Sequence, residues 1–302
     1  MSNTVFITKL PLVESNQELE KIKKLYPNYD PYFITSGCIK ERREIFDKLW
    51  NSYKPYADSN FLSEIKHNFH QRSWEMYIGN VLLKLEMDIQ SQNEGPDFVI
   101  NKTSYIECVA PTKGDPSKTN SVPEMFIATT PEKMCVQDVP VDKIILRITQ
   151  SIKYKSLEQY KNWKNKKWFD LKMPFVIAIN IGDLGHVDDS SMPNTIKALF
   201  GFQFMRININ TKKTDFTHRN VIEKTEKKPV PVNYFACPDF DFISGVLFSD
   251  KNILNHPKII GDDCIFVNNP FAKNPINKSF GNLFKNWVAS KDDAGINLKK
   301  NY

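Results

Sequence analysis

The feature that most constrains this chain is the run of residues 175–181, which reads FVIAINI. A nearly continuous apolar run of this length is typical of a strand buried on both faces within a sheet. Its neighbours predict helices. Pro140 suits the first turn of a helix over residues 140–167, and apolar spacing predicts a longer helix over residues 61–86. The chain therefore has a buried strand with helices available to cover it.

Three short strands are predicted between these helices, at residues 87–92, 96–100 and 104–110. Asn101-Lys102-Thr103 fits a hairpin connection between the last two. Residues 111–139 hold four prolines and predict a long loop. The order from residue 61 is helix, strand, strand, strand, helix, strand. It predicts an α/β fold with a mixed sheet flanked by helices.

The remaining segments predict additions to this core. Residues 1–60 predict a helical N-terminal extension, with a charged helix at 16–25 and an amphipathic helix at 40–53. Residues 61–181 form the predicted core. Residues 182–302 are expected to complete the same domain, and their role is not assigned. They contain strand candidates at 202–208, 245–248 and 264–268.

The composition argues against two kinds of nucleotide-binding protein and is compatible with a polyanionic partner. With 11 glycines and neither a G-x-G-x-x-G pattern nor a P-loop, a nucleotide-binding protein of those types is not expected. The formal net charge of +6 fits a polyanionic partner without requiring one. No helix-turn-helix, zinc-finger or RNA-binding signature is found.

The cysteines and the N-terminal residues bear on location. The five cysteines are scattered and form no C-x-x-C pair, so a reducing compartment is expected. No secretory signal is evident, and no apolar stretch is long enough to span a membrane. Cytoplasmic localisation without a membrane partner is the expectation, and secretion without a cleaved signal stays open.

Two carboxylates are predicted to meet across the second hairpin. Asp97 begins one strand and Glu107 lies in the middle of the next. Side chains alternate along strands, and residues opposite each other share a face. Pairing through a three-residue loop therefore makes Asp97 and Glu107 direct or diagonal neighbours, within reach of one metal ion.

Two adjacent carboxylates on an apolar strand repel each other and lose hydration, so one must take a proton or find a cation. Mg²⁺ binds one or two carboxylates together with water and phosphate oxygens, and Mn²⁺ is the alternative. The backbone carbonyl of Val109 is a predicted further ligand.

Glu75 is a third candidate ligand. On the preceding helix it shares a side with Ile78, Gly79 and Leu82. A glutamate on an apolar stripe is predicted to point inward, where it needs a partner. Gly79, one turn later, would allow close approach to the sheet.

The segment Gly95-Pro96-Asp97 with Glu107 resembles the PD-(D/E)XK nuclease superfamily, which includes many restriction endonucleases. The likeness covers residues 61–181. In that family a helical Glu, the Asp of Pro-Asp and a Glu on the next strand bind one or two Mg²⁺ ions, and water attacks a phosphodiester. The resemblance implies these roles for Glu75, Asp97 and Glu107, with DNA, and secondarily RNA, as substrate. Dimers are common in the family, so a homodimer is possible.

The chain departs from the family pattern at Val109, where the family carries a lysine. Lys153 and Lys155 on the following helix, and Lys113 on the loop, are the candidate replacements. Gln150 with Tyr154 also resembles the Q-x-x-x-Y signature of the RecB-like branch. Gln150 and Lys153 are predicted to contribute catalytically, by orienting the water or the scissile phosphate.

Two functions follow from these observations. The first is a Mg²⁺-dependent nuclease. The second is a nuclease-like module that has lost catalysis and binds nucleic acid or a protein partner, which Val109 in the lysine position suggests.

Overall fold

The computed structural model describes residues 4–6, 10–91, 94–126, 130–133, 135–185, 191–212, 214–224, 229–293 and 295–302. The helices are α1 (Asn16–Leu25), α2 (Pro31–Cys38), α3 (Lys40–Tyr53), α4 (Phe61–Glu64), α5 (Phe69–Lys84), α6 (Val141–Lys153), α7 (Lys161–Trp163), α8 (Asn194–Phe200) and α9 (Lys278–Gly281). The strands are β1 (Ile89–Gln90), β2 (Phe98–Ile100), β3 (Ser104–Val109), β4 (Phe175–Asn180), β5 (Phe202–Ile207), β6 (Thr214–His218), β7 (Val221–Glu223), β8 (Pro229–Pro231), β9 (Ile243–Ser249), β10 (Ile265–Asn268), β11 (Lys285–Asp292) and β12 (Gly295–Asn301).

Eight strands form one mixed sheet in the order β1-β2-β3-β4-β9-β10-β11-β12. β1, β2 and β3 are antiparallel, whereas β4 runs parallel to both β3 and β9. All six residues of β4 are buried, as the apolar run predicts. The predicted α/β class with a mixed sheet is confirmed. Four strands from the unassigned C-terminal part, β9 to β12, extend this sheet.

The sheet separates two apolar cores. One core joins α2, α3 and α5 to the sheet face that carries Ile106 and Cys108. The other joins α6 and α8 to the face that carries Tyr105 and Val109. Because side chains alternate along β3, Glu107 belongs to the α6 face of the sheet, opposite to α5.

Helix α5 lies between the helical extension and the sheet, and most of its residues are buried. The indole N–H of Trp74 donates to the carbonyl of Ala178 in β4 at 2.9 Å. On the other side, the amide of Asn80 donates to the carbonyl of Leu49 in α3 at 3.0 Å. Residues 40–53 therefore pack directly on the helix that carries Glu75.

Two predicted helices differ in the structure, and a third difference is a helix that was not predicted. The helix predicted over 61–86 is divided into α4 and α5 by Asn68, whose backbone is not helical. The backbone N–H of Asp30 donates to the carbonyl of Lys66 at 2.8 Å, which removes that acceptor from a continuous helix. Helix α2 was not predicted, although Asp30 caps it through the N–H of Tyr32, directly before Pro31.

The other predicted helix that differs is the one over 140–167. It is α-helical only to Lys153, continues as a π-helix over Tyr154–Tyr160, and ends in the short α7. π-Helical turns of this kind occur often at functional sites. In the described part of the chain, no helix is both long and apolar enough to cross a membrane.

We expect Gly79→Ala to lower the free energy of unfolding by about 1–3 kcal/mol, as overpacking of a core does. A Cβ at Gly79 would lie 2.5 Å and 2.6 Å from two ring carbons of Tyr53, which is fully buried. The absence of a side chain at Gly79 therefore makes room for Tyr53 of α3 rather than for the sheet, which the sequence predicted. Urea unfolding measures the loss. In a Tyr53→Leu background the same change should cost less, and equal costs in both backgrounds would contradict the steric explanation.

Candidate functional site

Asp97 and Glu107 lie opposite each other at the edge of the β2–β3 hairpin. Phe98 pairs with Ile106, so one step outward sets Asp97 against Glu107. The backbone N–H of Asp97 donates to Glu107 Oε2 at 3.2 Å, and the N–H of Cys108 donates to Asp97 Oδ2 at 2.7 Å. The predicted cross-strand placement is confirmed.

The tight turn of this hairpin explains the register. Asn101 and Lys102 both have positive φ, 49° and 54°, and the N–H of Thr103 donates to the carbonyl of Ile100 at 2.9 Å. Two central residues with positive φ are the mark of a type I′ turn, whose twist matches that of paired strands. The strands pair Ile100 with Ser104, so Thr103 is one residue more than a two-residue turn needs, and this three-residue connection sets Asp97 opposite Glu107.

Lys155 supplies the positive charge of the site. Its Nζ lies 2.6 Å from Glu107 Oε1, and the Glu107 side chain is only 2% exposed. Lys155 is the second residue of the π-helical segment. It follows Ile148 by seven residues and Ile152 by three, and both isoleucines are fully buried. The sequence-based prediction names Lys153 instead and does not use this spacing, which places Lys155 on the inward side of the helix.

The electrostatics of the site reflect an excess of negative charge. Burial, together with the charge of Asp97, raises the pKa of Glu107 to about 8, against the opposing effect of Lys155. Burial also raises the pKa of Asp97. Burial alone would lower the pKa of Lys155, but Glu107 and Asp97 outweigh it and raise that pKa. The lysine therefore stays protonated, and the carboxyl groups favour a bound proton or a further cation.

Glu75 is near this pair but has partners of its own. Tyr53 Oη donates to Glu75 Oε1 at 2.7 Å, and Arg72 Nη1 donates to Oε2 at 2.6 Å. Burial and the charge of Asp97 raise the pKa of Glu75 to about 8, whereas Arg72 lowers it. Glu75 thus interacts electrostatically with Asp97, while each of its oxygens accepts a hydrogen bond from another side chain.

Hydrogen bonds join Asp97, Glu107 and Lys155 directly, whereas Glu75 interacts with Asp97 through its charge. Across the residues that the structure describes, no three His, Cys, Asp or Glu side chains form a metal-binding group. Glu75 lies on α5, which packs on the sheet face opposite to Glu107, and its charge nevertheless interacts with that of Asp97.

Two residues of α5 that sequence reasoning missed support the site. Arg72 contacts Asp58 and Glu64 as well as Glu75, which ties the glutamate to the preceding loop and to α4. Gln71 donates to the carbonyl of Cys108 and accepts from the N–H of Ala110, each at 3.0 Å. The i,i+3 spacing of Arg72 and Glu75 was the available signal for their pairing.

Val109 is the residue between these two contacts of Gln71. Its side chain is buried in the core on the α6 side. An apolar side chain therefore occupies the position where PD-(D/E)XK nucleases carry a lysine. Gln71 holds the backbone on both sides of Val109, which gives its carbonyl a defined position. The role of that carbonyl as a metal ligand stays a prediction.

Gln150 and Lys153 do not join the acids. Both lie on the exposed side of α6 and line a depression whose lining includes none of Glu75, Asp97 and Glu107. Arg147 Nη1 donates to Gln150 Oε1 at 3.1 Å. The third candidate lysine, Lys113, forms an ion pair with Glu124 at 2.6 Å. Lys155 is thus the candidate lysine that contacts the acids.

In EDTA, we expect the protein to be less stable at pH 8.5 than at pH 5.5. The folded-state pKa values of Glu75 and Glu107, about 8, exceed the ordinary value of 4.5. The folded state therefore binds more protons between these values, and the stability it gains from them is lost as pH rises through about 8. Thermal unfolding measures this as a fall in Tm, by roughly 2–4 °C per kcal/mol lost.

Glu107→Gln should flatten this dependence, whereas Glu41→Gln, at an exposed position of α3, should leave it unchanged. A Tm that rises between pH 5.5 and pH 8.5 would contradict the assignment.

Comparisons with known proteins add no relationship. No family model matches the chain, and neither a curated protein nor a solved structure matches it significantly.

Proposed function

We propose that this protein is a divalent-cation-dependent phosphodiesterase that cleaves nucleic acid, with DNA as the first candidate substrate and RNA as the second. The observation that carries the proposal is the triad of Asp97, Glu107 and Lys155. Two carboxylates face each other across a hairpin, and a protonated amine lies 2.6 Å from one of them.

The order of elements also supports a restriction-endonuclease-like core. Helix α5 precedes the antiparallel strands β1, β2 and β3, and α6 leads to β4, which is parallel to β3. This is the order expected from the resemblance to PD-(D/E)XK nucleases. In the proposal, Lys155 replaces the family's strand lysine, whose position here is occupied by Val109.

The donor set suits Mg²⁺ or Mn²⁺. Asp97 Oδ2 accepts from Cys108, whereas Oδ1 accepts no hydrogen bond from the residues the structure describes. Carboxylate and carbonyl oxygens are the ligands that a hard cation prefers. Asp97, Glu107 and the carbonyl of Val109 would hold the cation, which would supply Lewis-acid polarisation of a phosphodiester.

The side chains around the cation have separate tasks. Lys155 stays protonated, so it suits stabilisation of negative charge on the phosphate better than removal of a proton. The N–H of Cys108 orients Asp97, and Gln71 fixes the strand end beside it. Glu75 already accepts one hydrogen bond at each oxygen, from Tyr53 and Arg72, and would act on the cation through its charge.

A second candidate function is a catalytically inactive module that binds nucleic acid or a protein. The engagement of both Glu75 oxygens by Tyr53 and Arg72 favours it. Titration with Mn²⁺ separates the two, because an inactive module should bind the ion poorly and should bind nucleic acid without turnover.

We expect Mg²⁺ or Mn²⁺ to support cleavage of plasmid or single-stranded DNA, and Asp97→Asn to reduce the rate by about 100-fold or more, because loss of a direct ligand should cost at least as much as the roughly 10–100-fold loss caused by removing a partner of a ligand. The amide keeps the size of the side chain but removes its charge. Asp293→Asn, at an exposed position far along the chain, is the matched control and should cleave normally. Wild-type protein that cleaves no DNA or RNA with either ion would refute the proposed function.

Lys155→Met should slow cleavage by about 100-fold while tightening Mn²⁺ binding, since removing a nearby positive charge favours a cation at Glu107. Lys155→Arg should recover part of the rate. The control is Lys161→Met, at an exposed position of α7. Rate measurements and Mn²⁺ titration check both effects, and weaker Mn²⁺ binding together with loss of fold would argue for a purely structural lysine.

A further inference from the structure

A depression beside the outer face of α6 is separate from the acids. It holds about 390 Å³ and lies between the loop after β3, helix α6, Lys224 and strand β8. Its lining residues are Gly114, Asp115, Lys118, Asn120, Ser121, Leu146, Arg147, Gln150, Lys153, Lys224, Val230 and Tyr234. An adjoining cavity of about 420 Å³ shares part of the loop, including Lys118. The combined space is large enough for a nucleotide-sized group.

The lining of this depression is strongly cationic. Lys118, Lys153 and Lys224 are exposed, and within the described residues none of their ammonium groups forms an ion pair or a hydrogen bond. The single lining acid, Asp115, accepts from the N–H and the hydroxyl of Ser117 at 3.0 Å and 2.8 Å. Lys118 interacts electrostatically with Asp115 without a direct ion pair, and the depression still carries more positive than negative charge.

Arg147 adds a fourth cation that is held in place by neutral groups. Its Nε donates to the carbonyl of Thr112 at 2.6 Å, and its Nη2 donates to the hydroxyl of Thr112 at 3.3 Å. Its remaining contact is with the amide of Gln150. Burial lowers the pKa of Arg147, and no carboxylate offsets that effect. A partly buried guanidinium with only neutral acceptors is a favourable partner for a bound anion.

The floor of the depression is apolar. Leu146 and Tyr234 are buried, and the Tyr234 hydroxyl donates to the carbonyl of Thr149 at 3.0 Å, which turns its polar atom away into the core. A cationic rim above an apolar floor suits a ligand with a phosphate at one end and a sugar or base at the other.

This depression cannot hold the phosphate that reacts at Glu107. Arg147 precedes Lys155 by eight residues, which is about 12 Å along a helix. Lys153 is exposed, whereas Lys155 points inward and contacts Glu107. The two side chains therefore lie on different sides of the helix.

We propose that the depression binds a phosphate group of the nucleic-acid strand some nucleotides away from the bond that is cleaved. This inference rests on the proposed function for the identity of its ligand. Lys118, Lys153 and Lys224 contact the phosphate backbone, Arg147 anchors it, and the apolar floor accepts the attached sugar or base.

The test measures binding of a fluorescein-labelled single-stranded 20-mer DNA in EDTA, so that it does not depend on cleavage. The triple variant Lys118→Ala/Lys153→Ala/Lys224→Ala removes three exposed cations. The matched control, Lys24→Ala/Lys40→Ala/Lys48→Ala, removes the same charge from exposed positions of α1 and α3. Thermal unfolding of both variants verifies that they fold.

We expect the first variant to bind the DNA at least about 10-fold more weakly, with the salt slope of log K reduced by about 2, as loss of three single-strand phosphate contacts implies. The control should change affinity by less than about 2-fold. Equal losses in both variants, or no binding by the wild type, would overturn the proposal. So would binding of a mononucleotide with the same lysine dependence but no binding of the 20-mer. Cleavage is assayed separately, so lysine-dependent DNA binding by a protein that never cleaves would reject the proposed function and leave the phosphate site standing.

Discussion

The structure depends on the interactions that stabilise two buried carboxylates, Asp97 and Glu107, within a sheet. Asp97 and Glu107 face each other where neither is well hydrated, and burial penalises their charged forms. Lys155 enters from the α6 side and contacts Glu107 directly. Because the lysine and the carboxylates come from opposite ends of a long connection, their attraction joins the hairpin to the helix that leads into β4.

Helix α5 carries a comparable arrangement on the other face of the sheet. Glu75 is buried, and it is satisfied by Tyr53 from α3 and by Arg72 from its own helix. Gly79 provides the room that the Tyr53 ring needs. The N-terminal helices are therefore part of the site's support, since without α3 the inward glutamate would lose one of its two hydrogen-bond partners.

The cluster around Glu107 and the cluster around Glu75 together bear on the two proposed functions, a nuclease and an inactive binding module. The contacts that stabilise Glu75 in the core occupy each of its oxygens with one hydrogen bond, while its charge interacts with that of Asp97. In the proposed function, a hard cation would bind at Asp97 Oδ1, and Glu75 would contribute through its charge. The cationic depression on the outer face of α6 lies apart from this chemistry and is suited to positioning a strand.

The sequence by itself determined the features that depend on short-range pattern. The apolar run of β4, the helix at Lys40–Tyr53 and the pairing of Asp97 with Glu107 could be predicted, because alternation and a three-residue turn fix them locally. Only the tertiary structure decided which lysine meets Glu107, because that depends on how α6 is rotated against the sheet and on its π-helical continuation. Tertiary packing likewise decided that Glu75 binds Arg72 and Tyr53, since these contacts form only when three helices and the sheet come together.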